Sequence, residues 1–378
     1  MIYLDNAATS FPKAPQVAAS VYACLSEPYG NSGRASHILA CKSSELIFNT
    51  RDMLGSLLGI SHSENIVFTY NATMALNTAI LGFVPDGGVV AVSSLEHNSV
   101  IRPLRYLEKK RNVKILIIKC DADGNPDVSS LKEVLAAKPC LIVMTMASNV
   151  TGAVLPFLDI IAAAKKQGIK VGLDGSQFIG HAAFDFDASG ADFLAFSGHK
   201  GLLAPTGIGA LCLKSDFNPD PLVFGGTGSL SDKEYHPDFM PDKYEAGTPN
   251  IVGLKGLLSA AEFIKEKSLS VIEDEEQIIT SYLIDGLKTI PKIKIYNLDL
   301  HKKRMPVVSI SVDDMPSSSL ARELDARNIA VRQGLHCSPL AHKSIGTFDE
   351  GGTVRFSPSL FTTNAEIDET IKILKDII

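Results

Sequence analysis

The sequence predicts a two-domain α/β protein, with a mostly parallel sheet of seven strands in a large domain and a smaller α+β domain after it. Three observations predict this. The 378 residues are too many for one ordinary hydrophobic core. Short apolar runs alternate with helical patterns, which is typical of strands joined by crossover helices. This alternation stops after a long pair of helices, and no internal repeat interrupts it.

Seven apolar runs are predicted to be the strands of the large domain. They span residues 66–70, 89–93, 115–119, 141–144, 170–174, 193–196 and 209–213. The apolar spacing between them predicts helices near 73–81, 99–109, 130–136 and 158–167. We expect residues 13–255 to form this domain.

The last third of the chain predicts the smaller domain. The long helical pair covers about 252–267 and 269–287. Strand-like runs follow at 307–312 and 353–356, with helices near 318–327 and 364–377. We expect residues 256–378, together with 1–12, to form the α+β domain.

Composition narrows the class of function. The chain has 36 Lys and Arg residues and 42 Asp and Glu residues, so its net charge is −6. Such a charge provides no positive electrostatic field to attract nucleic acid or an anionic membrane. A small-molecule substrate fits better. No run reaches the roughly 18 apolar residues of a spanning helix, and the start shows no signal-peptide plan, so we expect a cytoplasmic protein.

The six cysteines have no spacing typical of a structural zinc site, so no metal is expected and most should be free thiols. Cys120, Cys140 and Cys212 lie in apolar runs and should be core residues. Cys337 lies in the polar Gln-Gly-Leu-His-Cys-Ser-Pro run at 333–339, where a thiol can be accessible. The neighbouring His336 is expected to favour its thiolate.

Polar clusters follow four of the strands, where open α/β sheets bind ligands. The first, at 71–77, opens a helix whose N–H groups and Thr73 hydroxyl could hold a phosphate; the alternative for Thr73 is a helix cap. The second, at 94–98, presents His97, which could stack on a flat cofactor and exchange protons. The alternative is a lone surface histidine.

The third cluster is Asp-Gly-Ser-Gln at 174–177. A carboxylate ending an apolar strand is costly unless paired with a cation such as a pyridinium, which Asp174 would keep protonated. Gln177 could bind the ring hydroxyl, and a helix cap is the alternative for Asp174. The fourth cluster is Ser-Gly-His-Lys-Gly at 197–201, in which Lys200 could be an imine-forming amine. The alternative for Lys200 is a solvated loop lysine. Ser197 and His199 could complete the phosphate cradle.

In this order the clusters resemble those of cysteine desulfurases of the class V aminotransferase superfamily, which have the fold type I architecture of pyridoxal 5'-phosphate (PLP) enzymes. The resemblance covers nearly the whole chain. It is also carried by residues 3–9 (Tyr-Leu-Asp-Asn-Ala-Ala-Thr), Gly30-Asn31 with His37, 96–98, 148–152, 205–209, 245–250, Arg332, His336-Cys337 and 355–357.

The resemblance implies a role for each site residue. Lys200 is the Schiff-base lysine, Asp174 pairs with the pyridine nitrogen, Gln177 contacts the ring oxygen and His97 stacks on the ring. The phosphate is bound by the Ala72 N–H, Thr73, Ser197, His199 and, from a neighbouring subunit, Thr248. That sharing implies a homodimer. The substrate is bound by Asn149, Arg332 and Arg355, with Arg355 gripping the α-carboxylate.

The resemblance also implies the reaction. L-cysteine would become L-alanine, with Lys200 as general base, and its sulfur would pass to Cys337 as a persulfide and then to an acceptor protein. Selenocysteine lyase activity is the nearest alternative, since selenium leaves more easily and needs Cys337 less. Another class V aminotransferase or a β-lyase, and a catalytically silent scaffold, are further alternatives.

Overall fold

The computed structural model describes residues 1–33, 36–298 and 302–378. Its strands form sheets of seven, four and two strands. The chain begins with a short strand and two helices, which cover the large sheet: β1 (Ile2–Tyr3), α1 (Val17–Ser26) and α2 (Ile38–Leu58).

The seven-stranded sheet occupies the middle of the chain, with helices between most of its strands. In chain order the elements are β2 (Ile66–Thr69), α3 (Ala72–Phe83), β3 (Val89–Ser93), α4 (Asn98–Arg111), β4 (Lys114–Ile118), α5 (Val128–Ala136), β5 (Leu141–Thr145), α6 (Phe157–Lys165), β6 (Lys170–Asp174), α7 (Phe186–Ser189), β7 (Phe193–Ser197) and β8 (Gly209–Leu213). The spatial order is β2-β8-β7-β6-β5-β3-β4, and only β8 runs antiparallel to its neighbours. The predicted α/β class and mostly parallel sheet are therefore confirmed.

Helices cover both faces of this sheet. Leu76 of α3 and Leu104 of α4 pack on one face, and Leu54 of α2 and Ile161 of α6 pack on the other. Every residue of β5 is buried as a result. A strand covered on both faces is a continuous apolar run, which is why the pattern of the sequence revealed it.

The remaining elements form the last third of the chain. They are α8 (Ile251–Lys267), α9 (Leu269–Lys288), β9 (Ile293–Ile295), β10 (Val308–Val312), α10 (Ser317–Asp325), β11 (Ile329–Ala330), β12 (Arg332–Gly334), α11 (Pro339–Ser344), β13 (Thr353–Phe356) and α12 (Asn364–Ile377). The four-stranded sheet has the order β12-β13-β10-β9 and is antiparallel. Strand β1 pairs in parallel with β11, so the first residues of the chain lie against its last third.

The seven predicted strands of the large sheet are present, and each end lies within one residue of its predicted position. Helices α1 and α2 were not predicted. Helix α2 contains several Ser, Thr and Asn residues, which are weak helix formers and obscure the apolar period. It is held by packing on α8, which sequence does not reveal. Among the described residues, no helix is long and apolar enough to cross a membrane.

Candidate active site

The sheet topology brings the four polar clusters to one edge. Strands β2, β3, β6 and β7 run in the same direction, so their carboxyl ends share that edge. The Ala72 N–H donates to Ser197 Oγ at 2.9 Å, which joins the first cluster to the fourth. The Asn98 N–H donates to the Cys337 carbonyl at 2.8 Å, which joins the second cluster to the turn that carries Cys337, here called the cysteine turn.

Lys200 lies on the tight turn after β7, and it is half-buried. The turn packs closely on its neighbours: a Cβ on Gly201 would lie 2.5 Å from the Ile179 carbonyl oxygen. Burial lowers the pKa of the Lys200 amine to about 8, although Asp174 opposes the shift. No hydrogen-bond or ion-pair partner for this amine exists in the part of the chain that the structure describes. The amine is thus partly desolvated and unpartnered, and it is available as a nucleophile or base.

Asp174 is the last residue of β6 and is only 3% exposed. Its Oδ1 accepts from the Ser176 N–H at 2.9 Å, so it caps a turn and not a helix. Within residues 1–33, 36–298 and 302–378 it forms no ion pair. A buried carboxylate without a cation is costly, and a bound cationic group would relieve that cost.

His97 is the N-cap of α4. Its Nδ1 accepts from the Ser99 N–H at 3.0 Å, so the neutral ring carries its proton on Nε2. Burial lowers the pKa of His97 to about 4, against the opposing charge of Asp174. Near pH 7 the ring is therefore neutral and can offer Nε2–H as a donor.

The start of α3 has the groups of an anion site. Asn71 is the N-cap, with its Oδ1 accepting from the Met74 N–H at 2.9 Å, so Thr73 is not the cap. The Thr73 hydroxyl has no partner among the described residues. His199 has a buried Nδ1 without a partner. Thr73 lies in the first turn of α3, where the helix dipole favours a negative charge.

The first residues of the chain close one side of the site. The Gln177 amide donates to the Ala7 carbonyl at 2.9 Å, and the Ser10 N–H donates to the His199 carbonyl at 2.9 Å. Lys13 also donates to that carbonyl, at 3.2 Å. Gln177 is therefore partly engaged by the chain itself.

Arg355 is 2% exposed and lies opposite Arg332 in the β12–β13 pair. Its Nη2 donates to Asp5 at 3.0 Å and its Nη1 donates to the Asn149 carbonyl at 2.9 Å. The other oxygen of Asp5 accepts from Arg332 at 3.2 Å. Arg355 Nε is buried without a partner, so this guanidinium keeps one N–H donor unused.

Cys337 is exposed on a turn at the rim of the site. Burial lowers the pKa of both Lys200 and Arg355, and a negative charge on Cys337 would oppose both shifts, which places the thiol within electrostatic range of the two cations. An open cavity of about 520 Å³ adjoins it, lined by ten residues that include Thr73, His97 and Cys337. The cysteine turn thus borders the space next to the predicted phosphate and ring positions.

The expectation that His336 favours the Cys337 thiolate is wrong. His336 is buried, and that burial lowers its pKa to about 2, with Arg355 adding to the effect. Its Nε2 faces Thr353 Oγ1 at 3.0 Å. A neutral imidazole supplies no positive charge to the thiol.

Among the described residues, neither Asn149 nor Thr248 forms a side-chain hydrogen bond to the four polar clusters. The Asn149 side chain donates from Nδ2 to the His336 carbonyl at 2.7 Å and accepts at Oδ1 from Ser338 Oγ at 2.7 Å. Thr248 is exposed, and no hydrogen bond in the described part of the chain joins it to the other cluster residues. The described residues also contain no His, Cys, Asp or Glu group able to hold a metal ion.

The sequence reasoning gave no role to two acidic residues at the site. Asp5 bridges the two arginines, and Glu96 is fully buried beside His97. Glu96 Oε1 accepts from Ser93 Oγ at 2.5 Å and from the Thr145 N–H at 2.8 Å, while Oε2 has no partner. Both residues lie in motifs that carry the family resemblance, and this was the one feature of the sequence that could have pointed to them.

Burial raises the pKa of Glu96 to about 8 from the ordinary 4.5. The folded protein therefore holds a proton that the unfolded chain loses above about pH 4.5. The contribution of Glu96 to the free energy of unfolding should fall between pH 4.5 and 8, by at most about 1.4 kcal/mol per pH unit. Glu96→Gln removes this titration, so its stability relative to the unchanged protein should rise over that range.

Urea unfolding of the cofactor-free protein at pH 5, 6.5 and 8 measures this difference. Glu64→Gln is the matched control, because the Glu64 side chain is 57% exposed. If the difference in unfolding free energy between Glu96→Gln and the unchanged protein stays constant with pH, Glu96 is ionised in the folded protein.

Comparison with known proteins agrees with this geometry. A model of the aminotransferase class-V family matches residues 2–370. The chain is 31% identical to a probable cysteine desulfurase of Streptomyces coelicolor, covering 100% of this chain and 92% of the relative. It is also 31% identical to a probable cysteine desulfurase of Pyrococcus abyssi, covering 100% and 94%.

Solved structures show the same similarity. The apo cysteine desulfurase of Thermococcus onnurineus NA1 superposes with a TM-score of 0.92 at 29% identity, covering 100% of this chain and 94% of that one. The Escherichia coli cysteine desulfurase CsdA, in an S-sulfonic acid form, gives a TM-score of 0.89 at 26% identity, covering 99% and 94%. With the family model matching almost its entire length, this chain belongs to the aminotransferase class-V family.

Proposed function

We propose that the protein is a PLP-dependent cysteine desulfurase that converts L-cysteine to L-alanine and receives the sulfur on Cys337. The observation that carries this proposal is the position of the Cys337 thiol: it is exposed on a turn that hydrogen bonds tie to Asn98, next to His97, and to Asn149, which Arg355 contacts. The thiol also lies within electrostatic range of Lys200. An amine for the cofactor, a cation for a carboxylate and a sulfur nucleophile thus meet. The named relatives support the same activity.

The residues present fit PLP. Its phosphate would be held by Thr73, Ser197 and His199, whose buried Nδ1 lacks a partner. Its ring nitrogen would supply the cation that buried Asp174 lacks, and Lys200 would supply the amine that binds the aldehyde. When bound, the cofactor provides an electron sink for the negative charge left at the substrate Cα.

The substrate would be oriented by Arg355. The α-carboxylate would bind on the side of its guanidinium that carries the unpartnered Nε. Asp5 and the Asn149 carbonyl hold its two Nη groups, so the guanidinium plane is fixed before substrate arrives. Arg332 would add to the positive potential from its exposed position.

Two groups would handle protons. Lys200, with a pKa of about 8, releases a proton readily near neutral pH and would remove the Cα proton as general base. His97 would stack on the ring and donate through Nε2, because Nδ1 is occupied by the Ser99 N–H. Asp174 and Gln177 would hold the ring's polar atoms.

The Cys337 thiolate would then attack the substrate sulfur. An S–S bond forms as the substrate Cβ–S bond breaks, and the electron pair of that bond goes to Cβ. Cβ then takes a proton and Lys200 would return a proton to Cα, which gives alanine. The products are alanine and a persulfide on Cys337, which balances the atoms without an added oxidant or reductant. The exposed turn then leaves the persulfide accessible to an acceptor protein.

We also propose a homodimer with shared sites. Thr248 is exposed and would reach the phosphate of a second subunit. The neighbouring segment, residues 222–239, has no helix or strand and exposes Phe224, Tyr235 and Phe239. A partner subunit would cover such an apolar surface.

All six cysteines are free, which supports the cytoplasm as the compartment.

The division into domains at 13–255 and at 1–12 with 256–378 remains our proposal. A separate apolar core supports it, built from Leu4 and from residues of α9, β10, α10 and α12. Helix α8 crosses the boundary at 255/256, because Leu257 and Ile264 pack in the core of the large sheet.

Selenocysteine lyase activity remains the second candidate, since it would use the same residues. The deciding experiment incubates the purified, PLP-loaded protein with L-cysteine, L-selenocysteine and L-aspartate, and measures alanine and protein-bound persulfide. Alanine from cysteine with one persulfide per subunit supports desulfurase activity. Alanine only from selenocysteine would favour the lyase, amino-group transfer would favour an aminotransferase, and no turnover would favour a scaffold.

A further inference from the structure

The turn that carries Cys337 has an unfavourable backbone. Ser338 N–H donates to the Leu335 carbonyl at 2.8 Å, which closes a four-residue turn. Its two central residues, His336 and Cys337, have φ values of +47° and +59°. This is the φ signature of a type I′ turn, which favours Gly, Asn or Asp because a larger side chain is strained there. Such a turn persists only where its surroundings hold it.

The Asn149 side chain contacts this turn on both sides of Cys337. Its Nδ2 donates to the carbonyl of His336 and its Oδ1 accepts from the hydroxyl of Ser338, both at 2.7 Å. Asn149 is 8% exposed and Ser338 is fully buried, so water does not compete with these bonds. One amide bridges the residues before and after the cysteine.

The Asn98 N–H donates to the Cys337 carbonyl from a different element. Because Asn98 directly follows His97, this bond ties the cysteine to the start of α4. Asn149 is in turn tied to Arg355, whose Nη1 donates to the Asn149 carbonyl at 2.9 Å. The turn, the proton-donating ring and the carboxylate-binding group are therefore held in one connected network.

We infer that Asn149 and Ser338 are positioning residues that hold the Cys337 turn in its left-handed conformation and so aim the thiol at the substrate sulfur. The catalytic consequence rests on the proposed function, whereas the bracing of the turn does not. The role differs from substrate binding, since the Asn149 side chain bonds to the His336 carbonyl and to Ser338 Oγ, both within the turn. Loosening the turn should slow sulfur transfer while leaving cofactor and substrate binding largely unchanged.

Ser338→Ala is the first test, because it removes one bond to Asn149 and nothing that touches substrate. Ser309→Ala is its matched control: Ser309 is also fully buried and donates to the adjacent Val150 carbonyl at 2.6 Å, but does not contact the turn. Asn149→Asp is the second variant. Its carboxylate can still accept from Ser338 but cannot donate to the His336 carbonyl.

Hydrogen exchange of the resting protein gives a readout independent of turnover. In Ser338→Ala and Asn149→Asp, the peptide covering residues 334–345 should exchange roughly five- to tenfold faster than in the unchanged protein. Ser309→Ala should leave it unchanged. Unchanged exchange in both turn variants would overturn the inference.

Single-turnover kinetics test the catalytic consequence in the loaded enzyme. Persulfide formation on Cys337 should slow by about tenfold or more in both turn variants, with KM for cysteine altered by less than about twofold. A raised KM with wild-type exchange would mean that Asn149 acts by binding substrate, and would overturn the inference. Absence of persulfide in the unchanged protein would contradict the proposed function, while the exchange result still decides the bracing of the turn.

Discussion

Lys200→Ala is expected to abolish the absorbance band of lysine-linked PLP and to reduce turnover by about 10³-fold or more. Its half-buried amine is the available nucleophile at the end of β7, with burial lowering its pKa to about 8. The amine has no hydrogen-bond partner among the described residues, so the substitution leaves no polar group newly unpaired. The fold should therefore be retained. Absorbance spectra, circular dichroism and an alanine assay measure these effects.

Lys119→Ala is the matched control, because Lys119 also follows a strand, β4, but is exposed. It should leave spectrum and turnover unchanged. Borohydride reduction of the unchanged protein followed by peptide mapping should place the phosphopyridoxyl label on Lys200. A label on another lysine would disprove the cofactor assignment.

Cys337→Ala is expected to remove protein-bound persulfide and to reduce alanine formation from cysteine by about 10²-fold or more. The thiol is exposed, so its loss creates no cavity in a core. Cofactor absorbance should be unchanged, and cysteine should still alter the spectrum, because Lys200 and Arg355 remain. Selenocysteine should be affected much less, since selenium leaves more easily than sulfur.

Cys41→Ala is the control for this variant, because Cys41 is a second exposed free thiol, located on α2. It should retain persulfide formation. If Cys337→Ala forms alanine from cysteine at the unchanged rate, or if the trapped persulfide maps to Cys41, then Cys337 does not accept the sulfur.

The sequence by itself determined the strands of the large sheet and the polar clusters that follow them. These are local features. A strand buried on both faces, such as β5, must be an apolar run, and a polar residue marks the end of such a run, as Asp174 does for β6. Sequence pattern was less informative for α2, where weak helix formers are held by packing on α8. The resemblance supplied the roles of Lys200 and Cys337 in the same order along the chain.

Only the tertiary structure decided which groups those residues contact. Asn149 meets Ser338 across 189 positions of sequence, and Arg355 meets Asp5 across 350. It also decided that His336 is buried and neutral, although it precedes an exposed cysteine. A hydrogen bond or a pKa depends on the atoms that packing brings within a few ångströms, and for distant residues no local pattern encodes that proximity.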